Sequence, residues 1–330
     1  MLNSKIQQRF QVNIPLARLF DTPVLAEMAD LIKQVGDETV PDVTGNLVPL
    51  RQGSDHRRHL FLVHAGSGEV EHYLTLANRL DPAFHVWGLR ADPIHHLTPE
   101  NRTVHQLARH YLEQIKRVCP QGPYYLGGLC IGGVIAYEMT RILESRGEEP
   151  RLLLFVDSAL FPLDTVPFTF QSEMDWVKRH FFNKQIVDGL TGISELNQIW
   201  PSILEILVKL EVSPDTIRGL FPQDVGLATP DFENLDVKGL IYFYNLGRTF
   251  HNAVASYMPP TPIETPIHSF IATQSPHREV YRQRWEDHAA GGIEFDDVDG
   301  GHFTVFNPPH VDSLALKFDA ALKKAANRGV

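Results

Sequence analysis

Fifteen residues constrain this chain more than any others: "YYLGGLCIGGVIAYE", at 124–138. A strand-like run ends in paired glycines, a lone cysteine follows, and a helix-like run begins at once. "GLCIG", residues 128–132, fits the sharp strand-to-helix turn of a nucleophile elbow. The backbone of such a turn is too crowded for side chains beside it, and Gly127, Gly128, Gly132 and Gly133 leave the space open. The turn lifts Cys130 above the carboxyl edge of a sheet and sets it at a helix N-terminus, where negative charge, and so a thiolate, is favoured. A lone cysteine is more often a buried core residue; the glycine setting argues for a nucleophile here.

The chain around the turn alternates strands and helices. "HLFLVHAG", "FHVWGLRA", "GPYYLGG", "RLLLFVDSAL", "IHSFIATQ" and "GIEFDDV" read as strands. "TVHQLARHYLEQIKRV", "IGGVIAYEMTRILESRG", "IYFYNLGRTFHNAVASYM", a segment near 279–287 and "HVDSLALKFDAALKKAA" read as helices. This alternation predicts an α/β fold, a mostly parallel sheet with helices on both faces. Residues 161–240 break the rhythm and read as a helical insertion over the sheet, with "MDWVKRHFF" and "WPSILEILVKL" as its helices. Its aromatic residues, among them Trp176, Phe181, Phe182 and Trp200, exceed what exposed helices tolerate, so some are expected to face the site beneath. Residues 1–35 form a separate helical piece, with apolar spacing around Ile6 and Phe10 and a second run from Val24 to Val35 behind Thr22 and Pro23. The acidic, turn-rich stretch 36–46 reads as a linker to the main domain, 47–330.

Charge and composition narrow the function. The net charge of −10, with no long Lys/Arg run, argues against nucleic acid or an anionic membrane as partner. No apolar stretch reaches the ~18 residues of a membrane span, and "MLNSKIQQRF" lacks the apolar core of a signal peptide. Cys119 and Cys130 are too few for a disulfide framework. A cytoplasmic, reduced protein is the expectation. His105 and His110 lie five positions apart on one helix and point about 140° from each other, so they suit a solvated face better than a metal pair. His95 and His96 fall in a loop and Cys119 at a helix end, all read as inert.

A nucleophile needs a base, and the base an orienting acid. Downstream of Cys130, "LLLFVDSAL" ends a strand at Asp157, and "DGGHFTVF" sets His302 in a glycine loop before the last helix. The alternative acid position, after the next strand, reads "FIATQSP" and holds no carboxylate. "HAGSG", residues 64–68, follows the first buried strand; its backbone amides would face the elbow and supply half an oxyanion hole, with the Ile131 amide supplying the rest.

On these motifs the chain resembles the C-terminal thioesterase domain of non-ribosomal peptide and polyketide synthetases, within the α/β-hydrolases. The likeness runs over residues 47–326 through "LVPLRQG", "LFLVHAGSG", "VWGLRAD", "HYLEQIKRVCPQGPYYLGGLCIGGVIAYEMTRIL", "FVDSAL" and "GGHFTVFNPPHV". Residues 1–35 resemble the second half of an acyl or peptidyl carrier domain, whose phosphopantetheine serine would lie upstream of Met1. The resemblance implies Cys130 as nucleophile, Asp157 (after the family's sixth strand) as acid, His302 as base and the insertion as a lid. It implies no cofactor bound by the chain itself, and a substrate delivered on the phosphopantetheine of a carrier domain. There are two departures. The usual "HPAGG"-like turn is "HAGSG", which leaves the first oxyanion amide open between Ala65 and Gly66, and the usual serine is a cysteine.

The cysteine changes the energetics. Passing an acyl chain from a pantetheine thioester to a serine makes an oxoester and releases free energy; passing it to a thiol makes another thioester and keeps the chain activated. An activated intermediate suits attack by an amine, or closure of a strained ring such as a β-lactone. The expected activity is release of a carrier-bound acyl or peptidyl chain by cyclisation (macrocycle, lactam or β-lactone) or hydrolysis. Two rivals are a stand-alone type II editing thioesterase and a catalytically silent carrier-docking domain.

Overall fold

The computed structural model describes residues 25–37, 46–91, 103–160, 169–180, 184–221, 232–275 and 278–327. Most of the carrier-like piece, residues 1–24, lies outside them, as do His95, His96, Phe181 and Phe182. Its second amphipathic run is a helix, α1 (Leu25–Asp37).

Seven strands make one sheet: β1 (Leu47–Arg51), β2 (His59–Val63), β3 (His85–Leu89), β4 (Tyr124–Leu129), β5 (Pro150–Val156), β6 (Ile267–Ala272) and β7 (Ile293–Val298). Their order across the sheet is β1-β3-β2-β4-β5-β6-β7, parallel throughout except for β1, which pairs antiparallel with β3. β1 did not announce itself as a strand because Pro49 interrupts it; proline has no amide to donate and is tolerated only at edges, which is where β1 lies. Next to it, Asn46 was assigned to the linker but is buried, with Nδ2 donating to Arg90 O at 2.9 Å and Oδ1 in contact with His110 Nε2 at 2.9 Å.

The central strands read as unbroken apolar runs because both faces of the sheet are covered. One face carries Phe61, Val63, Leu126, Leu153 and Phe155 against α2 (Val104–Ile115) and α3 (Ile131–Ser145). The other carries Leu60, Leu62, Tyr125, Leu152 and Leu154 against Leu314, Phe318 and Leu322 of the last helix, residues His310–Asn327. Thr103 starts α2 with a capping box: its hydroxyl takes the Gln106 amide, and the Gln106 side chain takes the Thr103 amide. His105 is exposed, as its place on a solvated face predicts, and it also bonds the buried Glu138 through Nδ1 at 2.6 Å, so both histidines of α2 make tertiary ties.

The chain runs from β2 outward to β3, then returns across to β4. That reversal opens a crevice at the carboxyl ends of β2 and β4, where α/β sheets place their sites. The insertion supplies α4 (Phe170–His180) and α5 (Leu196–Lys209), and it continues into α6 (Val237–Ala255). Its boundary was expected at 240, but α6 is one unbroken helix buried in two places. Leu240 and Ile241 join Val177, Trp200, Ile203 and Leu207 in a core of the insertion's own, while Phe250, Ala253 and Val254 pack into the main core. Trp200 is buried in that separate core, and the partly buried Trp176 packs beside it.

Candidate active site

The elbow forms because its glycines let three elements converge. A Cβ on Gly128 would lie 2.4 Å from the Gly132 carbonyl carbon, one on Gly132 would lie 2.5 Å from Val63 O, and one on Gly133 would lie 2.4 Å from Ser158 Oγ. With only hydrogens there, α3 starts hard against the ends of β2 and β5. Cys130 sits at the apex with φ 56° and ψ −123°, a left-handed backbone that costs a non-glycine residue of order 1–3 kcal/mol and persists only when its surroundings hold it. They do: Cys130 N donates to Val156 O at 3.0 Å, and Cys130 O accepts from Gly133 N at 3.1 Å and from Ser158 Oγ at 2.7 Å. From below, the buried Tyr73 hydroxyl donates to Val63 O at 2.8 Å and accepts the Leu129 amide at 2.7 Å, joining the ends of β2 and β4.

Asp157 follows β5 directly, the fifth of the seven described strands, and also has a left-handed φ, 43°. The residue is buried; its Oδ1 accepts the Ala272 amide at 2.8 Å, and Oδ2 receives His302 Nδ1 at 3.3 Å. His302, in the loop after β7, also lies close enough to Cys130 for the two to interact electrostatically. The three residues that sequence order placed far apart therefore meet at the crevice, with the imidazole in the middle.

The electrostatics favour charge on that imidazole. Burial opposes it, but Cys130 and Asp157 outweigh the desolvation and raise His302 to about 10. At the neighbouring His72 burial outweighs the pull of Glu71 and pushes it down to about 4, so at neutral pH it is an uncharged ring beside Tyr73 and Phe306.

The loop after β2 lies against the elbow. Val63 O and His64 O both touch the position a Cβ of Gly132 would take, at 2.5 and 2.6 Å. Gly66 faces open space, with nothing within 4 Å of where its Cβ would stand. Gly68, at φ 78°, lets Leu246 of α6 approach, so α6 passes directly over this loop. Ile131 is the first residue of α3, and a first-turn amide has no partner inside its own helix. Among the described residues no group of three His, Cys, Asp or Glu could hold a metal ion, and no helix is long and apolar enough to cross a membrane.

Ser158, Tyr73 and His64 were not singled out as supports by the sequence. Ser158 had one available signal, its place next to Asp157 in "VDSAL"; Tyr73 had none, since nothing local distinguishes it from any other buried aromatic.

Comparison with known proteins agrees with this architecture. Residues 58–160, from β2 to just past Asp157, match the thioesterase domain family. Malpibaldin synthetase of Mortierella alpina is 35% identical over 46% of this chain and 3% of its own length. Microperfuranone synthase of Emericella nidulans is 25% identical over 100% of this chain and 34% of its own. The chain thus spans about a third or less of the length of these relatives. Among solved structures, the Vlm2 thioesterase domain with a bound dodecadepsipeptide superposes with a TM-score of 0.58 at 22% identity, covering 83% of this chain and 97% of that one. The RedJ thioesterase of the prodiginine pathway in Streptomyces coelicolor gives 0.55 at 18% identity over 83% and 95%; at these identities both speak to the fold. Sheet order, elbow and the family match over residues 58–160 agree on an α/β-hydrolase fold similar to the thioesterase domains of non-ribosomal peptide and polyketide synthetases.

Proposed function

We propose that this domain takes an acyl or peptidyl chain from the phosphopantetheine thioester of a carrier domain onto Cys130 and releases it by cyclisation or hydrolysis. The observation that carries the reading is the position of His302, bonded to Asp157 through Nδ1 and held charged by the proximity of both Asp157 and Cys130. Held cationic, His302 pairs with a Cys130 thiolate before substrate arrives. The thiolate attacks the thioester carbonyl, and its oxygen becomes an oxyanion that backbone amides at Ile131 and at Gly66 or Ala65 would bind. Collapse breaks the bond to the pantetheine sulfur, which leaves with the proton from His302. The neutral imidazole then takes a proton from an amine, hydroxyl or water, which attacks the acyl-enzyme and frees the thiol. Asp157 orients the ring through both half-reactions.

The resemblance of residues 1–35 to a carrier domain favours a role at the end of an assembly line over a stand-alone editing enzyme. The insertion serves as the lid in this reading, with α6 linking its core to the loop above β2. Incubation with a synthetic pantetheine thioester, followed by intact-protein mass spectrometry, tests it. An acyl adduct on the peptide containing Cys130 is expected, together with a released product whose mass distinguishes ring closure from hydrolysis. An adduct on Ser158 or Ser67 would overturn the assignment.

A further inference from the structure

We propose that Ser158 and His64 are positioning residues that aim the two oxyanion amides, Ile131 and Gly66, by gripping the carbonyl on the opposite edge of each peptide. The inference rests on the reading that Cys130 attacks a thioester.

A trans peptide is planar, and its carbonyl points opposite to the N–H of the next residue. Whatever holds the carbonyl therefore aims the amide. The Cys130 carbonyl and the Ile131 N–H belong to one such unit, and Ser158 Oγ donates to Cys130 O at 2.7 Å. Ser158 cannot turn away. It is fully buried, its Cβ and Oγ lie against Gly133, and its own carbonyl accepts Trp285 Nε1 at 3.0 Å from a fully buried ring.

The Ala65 carbonyl and the Gly66 N–H form the second unit. Ala65 O lies 2.7 Å from His64 Nδ1 and accepts the Gly68 amide at 3.0 Å. A carbonyl can only accept, so Nδ1 carries the proton. In the neutral ring Nε2 then accepts, and the Tyr111 hydroxyl meets it at 2.6 Å. His64 is fully buried, between Tyr111 and Phe250. The same geometry chooses between the two candidate amides of this loop. Ala65 N–H lies opposite His64 O, and His64 O faces the start of α3 at Gly132, so Ala65 N–H is directed away from the elbow helix. Gly66 is the amide left for the site. A carbonyl that accepts a bond also polarises its peptide, which strengthens the N–H on the far edge as a donor.

Four proteins test this on one pantetheine thioester: Ser158→Ala, His64→Leu, His64→Asn and the unmodified chain. Asparagine at 64 keeps an N–H donor near the place of Nδ1; leucine does not. Alkylation of Cys130 by iodoacetamide, mapped by peptide mass to separate it from Cys119, is the control, because that displacement develops no oxyanion. Ser158→Ala and His64→Leu should lose about 10- to 100-fold in kcat, less than outright removal of a donor costs, with KM changed no more than about twofold. Their Cys130 alkylation rates should stay within about twofold, and His64→Asn should recover most of the loss. Should Ser158→Ala not fold, the His64 pair, in the loop after β2, carries the test alone. Turnover equal to the unmodified protein, or alkylation falling in step with turnover, overturns the inference while leaving the proposed function standing. An unmodified protein that alkylates at Cys130 but is never acylated by the thioester overturns both.

Discussion

Asp157 and His302 meet across 145 residues of chain, Oδ2 to Nδ1 at 3.3 Å, while Oδ1 of the same carboxylate takes the Ala272 amide at 2.8 Å. Both neighbours are donors, so the position calls for a group that accepts on both sides. Asparagine cannot: its NH2 must face either the Ala272 N–H or the His302 Nδ1–H. Asp157→Asn is therefore expected to lower kcat/KM on a thioester while the domain stays folded. Removal of an orienting acid costs up to ~10⁴, and less here, because a thiol ionises far more easily than a hydroxyl. Unchanged kcat/KM with an unchanged melting temperature would mean that the acid is elsewhere.

His302 supplies a pH signature. Burial works against its charge, yet Cys130 and Asp157 raise it from 6.5 to about 10, so the folded state holds this proton more tightly than the unfolded chain does. The resulting stabilisation is complete below about 6.5 and is lost as pH rises through about 10. Ring resonances of His302 followed by NMR should remain those of an imidazolium through neutral pH. Cys130→Ala removes the largest raising influence, and the midpoint should then fall by about one unit or more. A midpoint near 6.5 in the unmodified protein would rule out the ion pair.

Replacing Cys130 by serine tests what the sulfur is for. The oxygen sits in the same elbow and the same left-handed turn, so Cys130→Ser should fold and still accept an acyl chain. Its oxoester lies lower in free energy than the thioester, and a serine does not ionise near neutral pH. The expected outcome is a longer-lived acyl-enzyme and a shift of product toward hydrolysis, read by adduct lifetime and product ratio. Identical products at an identical rate would remove any role for thioester activation.

Two glycines in the site should respond oppositely to alanine. At Gly132 the new methyl would meet Val63 O at 2.5 Å and His64 O at 2.6 Å, both backbone atoms that cannot swing aside. Gly132→Ala should cost about 1–3 kcal/mol or more, the range for overpacking. At Gly66 nothing lies within 4 Å, and Gly66→Ala should change stability by no more than about 0.5 kcal/mol. Chemical denaturation of both variants checks the contrast, and equal losses would contradict this account of the elbow.

The insertion should loosen apart from the sheet. Trp200 is buried in the insertion's own core, and its Nε1 donates to the buried Glu173 at 3.0 Å. Trp200→Ala removes that ring and leaves a carboxylate short of a donor, a change that costs about 3–5 kcal/mol in a packed core. Hydrogen exchange should accelerate over α4 and α5 while β4 and β5 keep their protection. Acceleration of all these elements together would mean that the insertion and the sheet unfold as one unit.

Sequence alone was enough for everything that local geometry specifies. The elbow was legible because only glycine tolerates backbone contacts of 2.4–2.7 Å, and such glycines bracket Cys130 on both sides. Strands β2, β4 and β5 were legible because a strand covered on both faces is apolar at every position. Tertiary structure decided what depends on partners distant in the chain. It made β1 an edge strand despite Pro49, ran α6 through two cores where a boundary had been drawn at 240, and turned Trp176 and Trp200 into the insertion's own packing. It also brought Ser158 to the Cys130 carbonyl and Tyr73 beneath the ends of β2 and β4. Residue spacing carries none of that, because a hydrogen bond between segments tens of residues apart is set by how helices and strands stack, and the same serine or tyrosine in another packing would bond something else.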